Sequence, residues 1–337
     1  MQAGQRIVLA SRPEGDPKAS DFRLEEFTPP VPEPGEVFLK TKWLSLDPYM
    51  RGRMIDGPSY AKPVALGAVM IGGTVSEVVI SKADRFAPGD VVLGQTGWQT
   101  HAIAKGDTLR KLDASIAPVS TALGILGMPG LTAYAGLTEI GKPKPGETVV
   151  VAAASGAVGS AVGQIAKILG ARAIGIAGGA PKCRYAMDEL GFDHCVDRRA
   201  GDLADQLKAA CPDGIDVYFE NAGGPIFECV FPLLNTFARI PVCGLMAQFN
   251  AAALAPGALQ VTQLLRQCLT KRLTLRGFLV TDFEDKRAAF ERDMSTWLQR
   301  GRLRYREDIV DGLANAPTAF VGMLRGDNFG KCLVRVA

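Results

Sequence analysis

The chain has 337 residues, about twice the usual length of one domain, so two domains are expected. Its 47% apolar and 22% charged residues are typical of a globular protein and exclude a disordered one. The 38 basic and 35 acidic residues leave a net charge of +3 without a dense basic run, which argues against nucleic acid as a partner.

Residues 1 to about 120 show a β-rich pattern, in which short apolar runs alternate with turns marked by proline and glycine. Examples of predicted strands are residues 37–41, 74–80 and 90–93. The tail of the chain, at 329–336, reads as a closing strand, and we expect it to return to this first domain.

The pattern changes after residue 123, where apolar strands alternate with amphipathic helices. Strands are predicted at 148–153, 173–177, 194–197, 215–220, 239–244 and 273–280, and helices at 160–169, 181–190, 202–210 and 226–235. Such strict alternation predicts an α/β domain built on a doubly wound parallel sheet.

Cysteine and histidine content indicates the chemical environment. The seven cysteines all follow residue 182, and no two form a CxxC pair, which predicts free thiols in a reducing cytoplasm. Only His101 and His194 occur, so we expect no metal site.

The start of the chain has no apolar signal segment, and two charge-poor stretches, 114–138 and 148–166, are interrupted by glycine or proline. We therefore expect no membrane partner.

One motif combines the first predicted strand of the second domain with the helix that follows. The segment Ala154 to Gly159 is a GxGxxG pattern with alanine in the first place. Gly156 allows a pyrophosphate to approach the backbone, and Gly159 allows the helix to pack closely on the strand. With Ala157 and Val158, these residues form a helix N-terminus that attracts phosphate. The pattern predicts dinucleotide binding.

The choice between NAD and NADP depends on the end of the second strand. An NAD site is expected to have an acidic residue there, but the sequence reads Ala177-Gly178-Gly179. Lys182 follows, and Arg198 ends the third strand, whereas Arg184 and Arg199 are interpreted as surface residues. These features favour a 2′-phosphate, hence NADPH. Asn221 and Gly244, at later strand ends, are further candidates for cofactor contact.

Six segments carry a family resemblance: 44–54 (LSLDPYMRGRM), 127–134 (GMPGLTAY), 157–167, 221–224, 238–250 and 327–331 (DNFGK). Together they resemble the zinc-independent medium-chain dehydrogenase/reductase family over almost the whole chain. Within it, they are most similar to the leukotriene/prostaglandin reductases, the plant double-bond reductases and the curcumin reductases. The resemblance implies NADPH-dependent reduction of the C=C bond of α,β-unsaturated ketones and aldehydes, in a homodimer joined through the sheet edge of the cofactor domain.

The resemblance also implies the architecture and the site. A GroES-like, partly closed β-barrel would comprise residues 1–122 and 301–337, and a Rossmann domain would comprise 123–300. Cofactor contacts are implied at Gly156, Ala157, Val158, Gly159, Lys182, Arg198, Asn221, Cys243, Gly244, Phe249, Phe278, Leu279, Val280 and Asn328. Tyr49 and Tyr60 are the implied substrate contacts. They are also the best side-chain donors to the carbonyl oxygen of the substrate, on which negative charge develops during the reduction.

Two positions depart from the family pattern. The family usually has tyrosine where this chain has Arg198, and a guanidinium serves a phosphate at least as well. It also usually has tyrosine in place of Phe249, so any role of that hydroxyl is lost or moved. Two alternatives stay open: an NADPH quinone oxidoreductase on the same fold and a non-catalytic NADPH-binding protein. In the segment 44–54 of the first domain, Asp47 and Arg51 are expected to form a local ion pair.

Overall fold

The computed structural model describes residues 3–57, 59–246 and 261–337. The chain divides into two compact units, Met1–Gly124 with Glu307–Ala337, and Ile125–Arg306. Residues 301–306 differ from the boundary expected from sequence, because they pack on the second unit. Leu303 is buried in that unit's core, and the backbone N–H of Arg304 donates to Gln164 Oε1 at 2.7 Å.

The first unit begins with antiparallel strands. Its elements up to residue 124 are β1 (Gly4–Leu9), β2 (Phe22–Phe27), β3 (Glu36–Ser45), α1 (Tyr49–Gly52), β4 (Thr74–Ser81), β5 (Val91–Gly94), β6 (His101–Lys105) and β7 (Arg110–Lys111). Strands β1 and β2 form a separate antiparallel pair.

The second unit alternates strands with helices, as the sequence predicts. Its elements are α2 (Met128–Ala135), β8 (Thr148–Ala152), α3 (Ala157–Ile168), β9 (Arg172–Ala177), α4 (Ala180–Asp188), β10 (His194–Asp197), α5 (Leu203–Ala210), β11 (Ile215–Phe219), α6 (Gly224–Val230), β12 (Leu234–Val242), α7 (Val261–Lys271), β13 (Thr274–Gly277) and α8 (Arg287–Gln299).

The six strands of the second unit form one parallel sheet in the order β10-β9-β8-β11-β12-β13. The order reverses between β8 and β11, and ligands of such sheets bind at the carboxyl ends of the strands beside that reversal. Apolar clusters cover both faces of the sheet, which explains why its strands are almost continuously apolar. The predicted doubly wound α/β fold is confirmed.

The tail completes the first unit with β14 (Glu307–Asp311), α9 (Ala316–Arg325) and β15 (Lys331–Arg335). Strand β15 pairs antiparallel with β3, with Leu333 opposite Ser45, as the pattern of the tail predicts. The resulting seven-stranded sheet runs β14-β15-β3-β4-β5-β7, with β6 also pairing with β3. None of the helices in the described ranges is long and apolar enough to cross a bilayer.

One predicted element is wrong. A helix is expected at 226–235, but α6 ends at Val230, a 3-10 turn covers Phe231–Leu233, and β12 begins at Leu234. Pro232 has no N–H group with which to continue the α-helical hydrogen bonds. The strand then bulges, because Ile215 pairs with Leu234 whereas Val217 pairs with Arg239. Because the strand starts irregularly, the two-residue alternation expected of a strand is not visible in the sequence.

Candidate functional site

The turn between β8 and α3 forms a tight backbone cradle. Ala153 has a φ of +52°, a left-handed conformation that costs energy for any residue with a Cβ. It brings its carbonyl to the N–H of Gly156 at 2.8 Å, and Gly156 in turn precedes the first residue of α3. The N–H groups of Ala157, Val158 and Gly159 lie in the first turn, where the helix itself provides no acceptor.

Gly159 sets how closely α3 approaches the strand. A Cβ at this position would lie 2.3 Å from the carbonyl oxygen of Ala153 and 2.9 Å from that of Ala152. Both atoms belong to the backbone, so no side-chain movement can make room. The absence of a Cβ therefore brings the helix N-terminus against the strand end, and this geometry fits a dinucleotide pyrophosphate.

The ends of β9 and β10 form a basic corner. Gly178 follows β9, and a Cβ there would lie 3.3 Å from Nε of Arg198 and 3.2 Å from Nε of Arg199. Both guanidinium groups thus reach the strand end, and Arg199 remains exposed, as the sequence predicts. Lys182 lies in the first turn of α4. Three cationic residues at this corner suit the 2′-phosphate that distinguishes NADP from NAD.

Asp197 is the only acidic residue on this corner among the described residues of the two strand ends. Its carboxylate already accepts hydrogen bonds from the backbone. Its Oδ1 accepts the N–H of Gly179 at 2.8 Å and that of Arg199 at 2.9 Å. The bond from the Arg199 N–H is the largest cause that holds the pKa of Asp197 below its usual value. The carboxylate therefore organises the corner and does not replace the acid of an NAD site.

A buried carboxyl group lies at the end of β11 and was not predicted from sequence. Glu220 is 2% exposed, and its Oε1 accepts the N–H groups of Ala222 at 2.7 Å and Gly223 at 2.8 Å. Burial raises the pKa of Glu220 despite these bonds. The sequence signal that could have identified Glu220 is an acidic residue at the end of an apolar strand. Its position fixes the turn that carries Asn221.

Asn221 is buried, and its Oδ1 has no hydrogen-bond partner within the described structure. A buried acceptor left unpaired costs about 1–3 kcal/mol. At the carboxyl end of β11, beside the reversal of strand order, this oxygen is suited to a donor on a bound cofactor.

Cys243 and Gly244 follow β12 beside this turn, and both N–H groups donate to the carbonyl of Glu220, at 2.8 and 3.2 Å. Burial, with a smaller effect of Glu220, raises the pKa of the Cys243 thiol to about 12. The thiol therefore stays neutral and serves as an apolar wall. Phe249 lies outside the described residues.

Residues 278–280 follow β13 at the same edge of the sheet. Phe278 is buried, and its ring meets that of Phe219 edge to face with centroids 6.3 Å apart. Leu279 is partly exposed, and Val280 begins a 3-10 segment that ends at Lys286. The fold thus brings every described cofactor candidate of the second unit to the carboxyl ends of its parallel strands.

The remaining candidates lie in the first unit. Tyr49 begins α1 and is partly buried, and burial, followed by the charges of Asp47 and Tyr60, raises its pKa well above the ordinary value. Its hydroxyl is therefore protonated at neutral pH and can donate a hydrogen bond. Tyr60 is 64% exposed. Asn328 donates from Nδ2 to the carbonyl of Gly330 at 2.8 Å.

The expected pair between Asp47 and Arg51 is wrong. Asp47 instead forms a buried ion pair with Lys331 at 2.8 Å, while Arg51 donates to the carbonyl of Gly15 at 2.7 Å. Helix α1 starts only after Asp47, so the two residues do not share the helical face that their spacing suggested. Across the part of the chain that the structure describes, no group of three or more His, Cys, Asp or Glu residues could hold a metal ion.

Comparison with known proteins identifies the family. Residues 5–112 match the model of an N-terminal oxidoreductase domain, and residues 157–298 match that of a zinc-binding dehydrogenase. The chain is 54% identical to NADPH-dependent curcumin reductase of Escherichia coli (strain K12), over 100% of this chain and 98% of the relative. It is 40% identical to 2-alkenal reductase (NADP(+)-dependent) of Nicotiana tabacum, over 99% and 98%.

A solved structure agrees with these relatives. The structure of CurA from Vibrio vulnificus in complex with NADPH has a TM-score of 0.95 and 52% sequence identity, and the match covers 99% of each chain. The basic corner, the glycine cradle and these similarities agree with the resemblance found in the sequence. The chain belongs to the zinc-independent medium-chain dehydrogenase/reductase family.

Proposed function

We propose that this protein is an NADPH-dependent reductase of the C=C bond of α,β-unsaturated ketones and aldehydes. The observation that carries the proposal is the combination of the Gly159 cradle with a basic corner, both at the carboxyl ends of the parallel strands, where the only acid among the described residues of that corner, Asp197, is already bonded to the backbone. It is supported by relatives that are named as reductases of curcumin and of 2-alkenals.

The residues at the carboxyl ends of the strands would hold NADPH. Gly156 to Gly159 offer backbone N–H groups to the pyrophosphate, and Lys182 and Arg198 offer cations to the 2′-phosphate. The unpaired Oδ1 of Asn221 offers an acceptor. We assign Cys243, Gly244, Phe249, Phe278, Leu279, Val280 and Asn328 as further contacts. When bound, NADPH supplies the hydride that the β-carbon of the substrate receives.

The tyrosines of the first unit would serve the substrate. As the double bond is reduced, negative charge develops on the carbonyl oxygen, and a hydrogen-bond donor aimed at it lowers the barrier. Tyr49 suits this role because its raised pKa keeps the proton on Oη. Tyr60, which contributes to the raised pKa of Tyr49, is the second proposed donor. The proton for the α-carbon then comes from a tyrosine hydroxyl or from water.

Turnover of a panel of enones, enals and quinones with NADPH or NADH tests the function. We expect enones to gain two hydrogens at the C=C bond, with NADPH strongly preferred. Hydroquinone as the only product would favour a quinone oxidoreductase. NADPH binding without turnover of any acceptor would favour a non-catalytic protein and direct attention to Phe249, with Phe249→Tyr as the next variant.

Removal of one hydroxyl tests the role of Tyr49. Tyr49→Phe is expected to lower kcat about 10²–10³-fold, the usual effect of losing an oxyanion donor. The Kd for NADPH should stay unchanged, because the proposed NADPH anchors at the cradle and the basic corner lie in the other unit. Tyr60→Phe is the matched control, because it removes a more exposed phenol hydroxyl, and it should lower kcat less than Tyr49→Phe does. A Tyr49→Phe variant with parental kcat would remove Tyr49 from the mechanism.

We also propose a homodimer located in the cytoplasm. Strand β13 ends the parallel sheet, and all four of its residues are exposed. In α7, Val261, Leu265 and Leu269 recur every four residues and are 62–78% exposed, an apolar stripe suited to a second copy of the chain. The cytoplasmic assignment rests on seven cysteines that are all free.

A further inference from the structure

Lys331, the first residue of β15, has a buried ammonium group that the proposed chemistry does not use. Its Nζ donates to Oδ1 of Asp47 at 2.8 Å and to the carbonyl of Leu46 at 2.6 Å. The side chains of Lys331 and Asp47 are only 5% and 7% exposed. Two charges in such a place cost free energy unless each is well paired, so a stabilising role alone is a weak explanation for them.

The ion pair belongs to a set of bonds that fixes the turn after β3. Ser45 Oγ donates to the second oxygen of Asp47, and the N–H of Leu46 donates to the carbonyl of Cys332 at 3.2 Å. The carbonyl of Asp47 then accepts the N–H of Met50 at 3.1 Å, within α1. Helix α1 therefore starts from a turn that β15 holds by both backbone and side-chain bonds.

The two ends of this arrangement lead to two proposed contact residues. Tyr49 follows Asp47 by two positions, and Asn328 precedes Lys331 by three. Tyr49 begins the short helix α1, and Asn328 lies in the segment between α9 and β15. The ammonium of Lys331 thus joins the segment that presents the substrate donor to the segment that presents a cofactor contact.

The acidic neighbours of this ammonium are Asp47 and Glu307. The carboxylate of Asp47 is one of the causes of the raised Tyr49 pKa. Glu307, opposite Lys331 in the pairing of β14 with β15, adds a second carboxyl group, whose Oε2 accepts from Ser120 Oγ at 3.0 Å. Against the larger effect of burial, Lys331 holds the pKa of Glu307 down, whereas Arg53 is the cation that lowers the pKa of Tyr49.

We propose that Lys331 is a positioning residue for enone reduction, which holds the Tyr49 and Asn328 segments in register through its bonds to Asp47 and Leu46. The inference rests on the proposed function, because it takes Tyr49 and Asn328 as the contacts with the reactants.

Two variants separate positioning from stability. Lys331→Met leaves the Asp47 carboxylate buried and unpaired, so this variant is expected to be strongly destabilised. The double variant Lys331→Met/Asp47→Leu removes both charges, and apolar replacement of a buried pair is often neutral or stabilising. The matched control is Lys42→Met/Glu77→Leu, which removes an exposed ion pair of 2.7 Å from the same sheet.

Each variant is measured for melting temperature, for steady-state kinetics with NADPH and an enone, and for hydrogen–deuterium exchange. We expect the Lys331→Met/Asp47→Leu variant to melt within a few degrees of the parent. Its kcat should still fall about 10–100-fold, the effect of a misplacement near 1 Å, with a smaller change in the KM for NADPH. Amide exchange should rise in residues 45–52 and 326–331 only. The control should match the parent in all three measurements.

A double variant with parental kcat, or with parental exchange in both segments, would overturn the proposal. A parent chain that reduces no enone would refute the proposed function instead. In that case the exchange data alone decide whether Lys331 holds the two segments, because they need neither substrate nor cofactor.

Discussion

Gly159→Ala is the sharpest test of the cofactor cradle. The added Cβ would lie 2.3 Å from the carbonyl oxygen of Ala153, 2.8 Å from its carbonyl carbon and 2.9 Å from the oxygen of Ala152. To restore ordinary contact, α3 must move away from the end of β8 by about 1 Å. Overpacking of this kind costs about 1–3 kcal/mol of stability.

The same displacement moves the N–H groups that would meet the pyrophosphate. We expect NADPH to bind at least about tenfold more weakly, which corresponds to about 1.4 kcal/mol. NADPH fluorescence gives the Kd, and urea unfolding gives the free energy of unfolding. Gly322→Ala in α9 is the control, since its Cβ would meet Asp327 at an ordinary 3.4 Å.

The reasoning fails if Gly159→Ala binds NADPH as tightly as the parent while it remains folded. It also fails if NADPH affinity falls equally in Gly322→Ala, because the loss would then not come from the cradle.

Three further predictions concern the basic corner, the buried carboxyl group and the exposed apolar stripe of α7. Arg198→Ala should weaken NADPH about 10–100-fold, the loss of one charge-assisted bond, and leave NADH unchanged; an equal loss for NADH would contradict the 2′-phosphate assignment. Because burial raises the pKa of Glu220, the folded state binds its proton more readily than the unfolded state, so stability falls as pH rises from the unfolded pKa, near 4.3, through the folded one. Glu220→Gln should remove that part of the decline in urea unfolding measured across this pH range, and an unchanged slope would refute it. Leu269→Lys should convert the dimer to a monomer in light scattering, whereas a parent chain that is already monomeric would refute the dimer.

The strands and helices of the parallel sheet could be predicted well because their sequence signals are short-range. A buried strand, a glycine turn and an amphipathic helix follow one another within residues 148–168, and the alternation repeats through β13. The sequence alone also shows that no acidic residue directly follows β9. The helix expected at 226–235 failed because Pro232 and the bulge of β12 interrupt both periods.

Partners distant in sequence could not be predicted. Asp47 has Arg51 four residues away, and the spacing suggested a local pair, but its partner Lys331 lies 284 residues further along the chain. Only the pairing of β15 with β3 brings them together. Likewise, the sequence predicts that Arg199 is exposed, but not that it lies beside Gly178, because that contact depends on how β9 and β10 end.

Transfer of deuterium from NADPH labelled at the nicotinamide C4 position tests the proposed reaction most directly. An α,β-unsaturated ketone is reduced in ordinary water, and the product is examined by mass spectrometry and NMR. We predict one deuterium at the β-carbon, hydrogen from solvent at the α-carbon, and an intact carbonyl group. Deuterium on the carbonyl carbon, or no transfer while NADPH binds, would contradict the assignment of this protein as an enone reductase.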